Sequence, residues 1–313
     1  MGLTIGVDIG GTKILAGVVD ESGAILDRVK IPTPRDSEQT AAAIAQAALS
    51  VRKDFPVEAV GLGAAGFISA DRATVLVAPN MSWHDEPLKA RIEALIDLPV
   101  VVENDANAAA WGEARFGAGA GSPNVVLYTV GTGVGGGIVL NGELFRGHFG
   151  IGAEFGHYRV QPNGRLCGCG QHGCLEQYAS GNALTRYVRE QAKTDPDRAQ
   201  IVLSLGDGTP DGIVGAHITE AARKGDAVAL EAFAEIGGWL GQSMADLASI
   251  LDPAVFVVAG GVSDAGEILT SPTRERYQAA LAGTGDRPFA EVVTATLGPD
   301  AGLIGAADLA RHR

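Results

Sequence analysis

No apolar run in the sequence approaches the ~20 residues that a membrane-crossing helix needs, because glycine or charge interrupts each candidate. Clusters of lysine and arginine are also missing. With 24 basic against 37 acidic side chains and a formal net charge of -13, no run of lysine or arginine forms a patch that would neutralise a phosphate backbone. Aromatic residues are scarce, at 5%, and the cysteines number three, so they cannot all pair with one another. The opening MGLTIGVDIGGT lacks the basic start and long apolar stretch of an export signal, and Gly6 stands where a myristoylation signal has Ser or Thr. These absences predict a soluble, cytoplasmic protein whose partners are small molecules, not nucleic acid and not a membrane.

What is present is glycine and aliphatic bulk. The 44 glycines, 46% hydrophobic residues and few aromatics fit a glycine-turned α/β enzyme better than an all-β sandwich. A chain of 313 residues suits two domains. LTIGVD (3–8) and ILAGVVD (14–20) read as a hairpin around a glycine tip, with a third strand near 25–31, a helix over 37–53 capped by Ser37, and a strand from 58. LPVVVEND (98–105) reads as a buried strand that runs straight into a helix with Ala106, Ala109 and Ala110 on its inner face. Near residue 124 the opening pattern recurs: NVVLYTV, GTGVGGG, IVLNGELF. Two copies of one motif predict two related domains with their glycine loops on opposite walls of a cleft. Helices follow over 182–193, 214–224 and 226–250, the last with Leu230, Phe233, Ile236, Leu240, Met244 and Leu247 at helical spacing. The stretch 254–263 reads as a strand ending in Gly260 and Gly261, and 301–310 as a closing helix. Residues 194–212 and 264–285 look least regular.

The chemistry concentrates at four places. In DIGGTK, Gly10 and Gly11 let the backbone approach an anion, Thr12 and Lys13 can donate to phosphate oxygens, and Asp8 could hold magnesium. Alone this is equally a tight hairpin with a surface aspartate. The second tip, with Gly131, Thr132 and Gly133, makes a phosphate cradle the stronger reading. It is neither a Walker loop nor a Rossmann turn, since GxxxxGK[ST] is absent and hairpins replace the strand-to-helix turn. Asp105, beside Asn104 at a rigid strand-to-helix corner, could cap a helix or serve as a general base toward a hydroxyl. His157, Cys167, Cys169 and Cys174 supply one imidazole and three thiolates, a closed tetrahedral set for structural zinc. His172, inside the same loop, competes for that role but is spaced too tightly. Folding the loop around an ion would also fix Glu154 and Glu176, two candidate acceptors for sugar hydroxyls.

Together, DIGGTK, ENDANAAAWGE, TVGTGVGGG, EFGH and CGCGQHGCLE resemble the ROK family of sugar kinases and related repressors. The resemblance covers almost the whole chain, and the His and three-cysteine signature is its most specific part. It implies a duplicated actin-like ATPase (ribonuclease H-like) α/β fold, two domains around a cleft. Residues 1–117 would form the small domain, joined by the C-terminal helix 301–313, and 118–300 the large domain with the zinc loop. It also implies that Asp105 is the catalytic base, and that Asn80, Asn104, Glu154, His157 and Glu176 contact the sugar. Gly131 to Gly133, with Gly260 and Gly261, would lie on the nucleotide side, and His157, Cys167, Cys169 and Cys174 would hold zinc. The implied reaction is ATP-dependent phosphorylation of glucose at its 6-hydroxyl, with magnesium on the phosphates, in a homodimer or homotetramer. Its rivals are another hexose (fructose, mannose, N-acetylmannosamine), polyphosphate as donor, or a non-catalytic sugar sensor. The sequence starts at the first strand, without the DNA-binding domain of the family's repressors, and this favours the kinase.

Overall fold

The structure, a computed structural model, describes residues 2–34, 36–78, 81, 83–283 and 287–312. The first two β-branched runs pair as β1 (Leu3–Ile9) and β2 (Lys13–Val19), an antiparallel hairpin closed where Gly10 N–H donates to Lys13 O at 3.0 Å. β3 (Ile25–Pro32) continues it, alternating more and less exposed side chains. After α1 (Ser37–Arg52) the chain returns as β4 (Val57–Ala64), parallel to β1. A small antiparallel sheet of β5 (Phe67–Ile68), β6 (Val75–Ala78) and β7 (Trp83–Glu86) and then α2 (Leu88–Ile96) lead into β8 (Val100–Asn104). The main sheet thus has the order β3-β2-β1-β4-β8, with β8 at its edge.

α3 (Asp105–Phe116) follows β8 without a loop, burying Ala106, Ala109 and Ala110 as the sequence predicts. Beyond it come β9 (Val125–Val130), β10 (Val134–Leu140) and β11 (Glu143–Phe145). Asn141 and Gly142, at φ of 54° and 79°, make the two-residue turn between the last two, a conformation that Asn-Gly adopts readily. Then follow α4 (Glu176–Ala179), α5 (Gly181–Thr194), α6 (Gln200–Leu205), α7 (Gly215–Arg223), α8 (Ala227–Leu251), β12 (Val255–Ala259), α9 (Glu267–Ala280), β13 (Glu291–Thr294) and α10 (Ala301–Arg311). The second five-stranded sheet runs β11-β10-β9-β12-β13.

By contacts the chain forms two units: 1–127 with 136–153 and 296–313, and 128–135 with 154–295. The first therefore reaches beyond the expected 117/118 boundary. Arg146 gives the physical reason, since its guanidinium donates to the carbonyls of Ser69 and Ala70 (3.0 and 2.8 Å) and so ties 136–153 to the first unit. Within that unit α10 lies directly on the main sheet. A Cβ at Gly6 would stand 1.9 Å from Leu303 O, and one at Gly61 1.8 Å from Ala306 O, so only glycine permits this approach. In the second unit α8 buries Phe233, Ile236, Leu240 and Met244.

Three local expectations need correction. Asp36, not Ser37, caps α1: its carboxylate accepts from Gln39 N at 3.0 Å and adds negative charge at the positive end of the helix dipole. Leu230 is 41% exposed, because the buried face of α8 runs through Val228, Ala229, Ala232 and Phe233 and leaves position 230 outside it. The span 264–285 holds α9, whose Pro272 is tolerated because the element is pressed onto α8, where a Cβ at Gly241 would come 2.3 Å from Thr273 O. Residues 194–212 also contain α6. Among the described residues no helix is long and apolar enough to cross a membrane.

Candidate active site and metal centre

In the first unit β1, β4 and β8 are parallel and their carboxyl ends lie side by side, with Asp8 opposite Gly63 and Ala64 opposite Asn104. Open α/β sheets bind ligands beyond this edge. Asn104 is the N-cap of α3: its Oδ1 accepts from Asn107 N at 3.0 Å, while its Nδ2 donates to Gly66 O at 3.1 Å. One lone pair and one N–H remain for a ligand. Asp105 is therefore the first helical residue and not the cap. Burial raises the pKa of Asp105, opposed by hydrogen bonds from the backbone of Ala106 and of Asp105 itself. Asp8 is raised to about 6, first by burial and next by the negative charge of Asp105, with Lys13 opposing. Both carboxylates keep part of their surface open while protein atoms crowd around them. Glycine at 302 leaves room beside them, since a Cβ there would lie 3.4 Å from Asp8 Cγ. The hairpin tip that follows Asp8 is pinned from behind, Thr33 N donating to Thr12 O at 3.1 Å and Thr33 Oγ1 to Gly10 O at 2.6 Å. Gly11 and Thr12 stay exposed, with their polar groups available to an anion.

The second unit contains a groove of about 890 Å³ whose lining includes Gly131, Thr132, Asn182, Arg223, Gly261 and Asp264. Its floor is built by glycines. Gly131 N donates to Gly133 O (3.0 Å) and Gly131 O accepts from Gly181 N (2.8 Å), where Ser180 caps α5 through Ala183 N. The N-terminal turns of α5 and α7 both border the space, and N-terminal turns favour negative charge. Gly260 stands just behind it at φ 89°, and a Cβ there would meet Val130 O at 2.5 Å. Sequence reasoning found Gly131, Thr132 and Gly261 but missed Asn182, Arg223 and Asp264, which no local motif marks.

The metal quartet also comes together in this unit. The ligand atoms of His157, Cys167, Cys169 and Cys174 all lie within 4.8 Å of one another. Cys169 Sγ is 3.6 Å from Cys174 Sγ, and Cys167 Sγ is 3.6 Å from His157 Nδ1. A disulfide would need about 2.05 Å. Tetrahedral zinc, with Zn–S bonds of about 2.3 Å, spaces its sulfurs at about 3.8 Å, so the donor set fits that ion. Nδ1 faces the thiols, and His157 keeps Nε2 for another partner. His172 is exposed, with Nδ1 3.0 Å from Gly164 O, and is not in the quartet. Glu176 opens α4 beside the centre, Oε1 3.6 Å from Cys167 Sγ and Oε2 accepting from Val134 N at 3.2 Å. One carboxylate thus joins the cysteine loop to the glycine tip 131–133. Glu154 precedes the turn 155–157, and its carbonyl accepts from His157 N at 3.0 Å. Asn80 lies outside the described residues.

The ROK family profile matches residues 4–313. A glucokinase of Streptomyces coelicolor is 57% identical over 312 residues, covering 100% of this chain and 98% of the relative. A glucokinase of Thermotoga maritima is 39% identical, covering 99% of this chain and 97% of the relative. The crystal structure of a ROK family glucokinase from Streptomyces griseus in complex with glucose and AMPPNP superposes with a TM-score of 0.91 at 57% identity, covering 100% of both chains. A match that spans the paired hairpins, the acid-bearing corner and the cysteine loop together leaves one conclusion: the chain belongs to the ROK family.

Proposed function

We propose that this protein transfers the γ-phosphoryl group of ATP to the 6-hydroxyl of glucose, giving glucose 6-phosphate. The observation that carries this reading is the full-length likeness, at 57% identity, to a glucokinase solved with glucose and AMPPNP. Asp105 is assigned as the general base. A sugar hydroxyl is too weak an acid to ionise near neutral pH, and a carboxylate within hydrogen-bond reach takes its proton as the oxygen attacks phosphorus, contributing on the order of 10²- to 10⁴-fold. Burial makes Asp105 a stronger base than a solvated aspartate. Asn80, Asn104, Glu154 and Glu176 are assigned to the sugar hydroxyls, with His157 offering Nε2–H while Nδ1 turns to the thiols.

The groove beside Gly131, Thr132 and Gly261 is assigned to the nucleotide, and the tip Gly10–Lys13 to its phosphates. His157, Cys167, Cys169 and Cys174 would hold zinc. With four protein donors no position is left for water, and the ion supplies a rigid loop and no chemistry. Asp8 and Asp105 bring two negative charges together with Lys13 opposing, a surplus that suits a divalent cation. Asp8 would hold magnesium, directly or through water, and that ion supplies charge neutralisation on the phosphates. The reading is tested by a panel of glucose, fructose, mannose and N-acetylmannosamine against ATP and polyphosphate. Glucose with ATP should give the highest kcat/KM; a higher value for another pair would reassign the substrate.

A further inference from the structure

Glu103 stands one residue before Asn104 and two before Asp105, and it is only 1% exposed. A lone carboxylate buried to that degree would be neutral or ruinous. Here it is paired twice, its Oε2 lying 3.2 Å from Arg72 Nε and 2.7 Å from Arg146 Nε. Both contacts are ion pairs, and neither has the alignment of a linear N–H···O bond. Oε1 is engaged as well, accepting from Asn104 N at 2.9 Å and from Asn107 Nδ2 at 3.1 Å. One carboxylate therefore binds two arginines on one side and the first turn of α3, with its cap, on the other.

The surroundings explain why such a clamp would be needed. β8 is the edge strand of its sheet, so the strand that delivers Asp105 has a sheet neighbour on one side only. The turn at residues 69–72 covers the other side, where Arg72 O accepts from Val102 N at 3.0 Å, with Arg72 in a left-handed conformation at φ 58°. Arg146 bridges this turn and Glu103, since its two terminal nitrogens hold Ser69 O and Ala70 O. Nothing in the packing of an apolar core requires two cations and a carboxylate at this spot.

We propose that Glu103, held by Arg72 and Arg146, is a positioning residue that fixes the Asn104–Asp105 corner for proton abstraction. This rests on the assignment of Asp105 as the base. A misplacement of about 1 Å can cost on the order of 10²-fold in rate. Loss of the clamp should therefore lower kcat while leaving KM for ATP little changed, because Glu103 contacts Arg72, Arg146, Asn104 and Asn107, none of which is assigned to the nucleotide or its phosphates. Removal of a buried carboxylate between two cations can also prevent folding, so a milder variant is needed. Arg72 is partly exposed, and Arg72→Gln leaves the pair between Arg146 and Glu103 intact.

The test compares Glu103→Gln, Arg72→Gln, Arg72→Lys and Asp105→Asn with the parent, recording the thermal midpoint of each and, well below the melting range, kcat and both KM values. We expect kcat to fall by roughly 10- to 100-fold in Glu103→Gln and by roughly 3- to 10-fold in Arg72→Gln, with recovery in Arg72→Lys, which keeps the cation. If Glu103→Gln does not fold, the two Arg72 variants decide. Arg72→Gln keeping kcat within twofold of the parent, however far the midpoint drops, would reduce the clamp to a structural element and overturn the proposal. Asp105→Asn separates the two ideas: normal turnover there sinks the base assignment, whereas its loss beside unaffected clamp variants sinks only the positioning role.

Discussion

Asp8 and Asp105 show how one charge shapes another at close quarters. Asp8 rises to about 6 from an ordinary 3.8 because burial and the neighbouring carboxylate both disfavour its ionised form. A folded-state pKa above the unfolded value means that the neutral form stabilises the fold below about pH 3.8, and that this contribution is lost as pH rises through about 6. The shift corresponds to at most about 3 kcal/mol. Asp8→Asn should accordingly be more stable than the parent at pH 7, with the difference shrinking at pH 5, in denaturant titrations of metal-free protein. A difference that grows on acidification would contradict the assigned cause. Asp105 and the quartet of His157 and the three cysteines were legible in the sequence because their signals are local: a carboxylate closing a buried strand, and thiols set among glycines. Glu103, Asn182 and Arg223 were not legible, because their partners lie far away in the chain and only folding brings them near.

At the level of elements, glycines divide into those that allow contact and those that face open space. A methyl at Gly61 would strike the backbone of α10 at 1.8 Å, whereas one at Gly131 meets no atom within 4 Å. Gly61→Ala should lower the thermal midpoint, by an overpacking cost of about 1–3 kcal/mol or more, with little change in KM for ATP. Gly131→Ala should do the reverse, keeping the midpoint and raising KM for ATP. Equal midpoints for the two variants would refute the packing argument. The cysteine loop makes an independent prediction. Metal analysis should find about one zinc per chain, and Cys167→Ser should lower both zinc content and stability. An active preparation free of zinc would show that the quartet serves another purpose. Patterning revealed α8 through its helical spacing, yet it hid α9, because Pro272 signals a break that the groove of α8 overrides. It also misplaced the cap of α1 by one residue, a shift that needs the geometry of Asp36 to settle.

For the molecule as a whole, the expected duplicated actin-like ATPase fold is borne out by the family match and the solved neighbour. The two glycine-tipped hairpins, β1–β2 and β9–β10, were its visible trace in the sequence. Less visible was how the chain returns to its first unit. Glu113, fully buried, accepts from Ala118 N, Thr296 N and Leu297 N at 2.8, 3.2 and 2.7 Å, fastening the end of α3 to the segment that leads into α10. Nothing in the stretch EARFG announces that task, because both partners on the far segment lie more than 180 residues away. The account as a whole stands on ATP-dependent phosphorylation of glucose with Asp105 as the base. The most direct measurement is the rate of glucose 6-phosphate formation by Asp105→Asn beside the parent, with the glucose Kd of each. Turnover should fall on the order of 10²- to 10⁴-fold while Kd changes little; a folded variant turning over near the parent rate would contradict it.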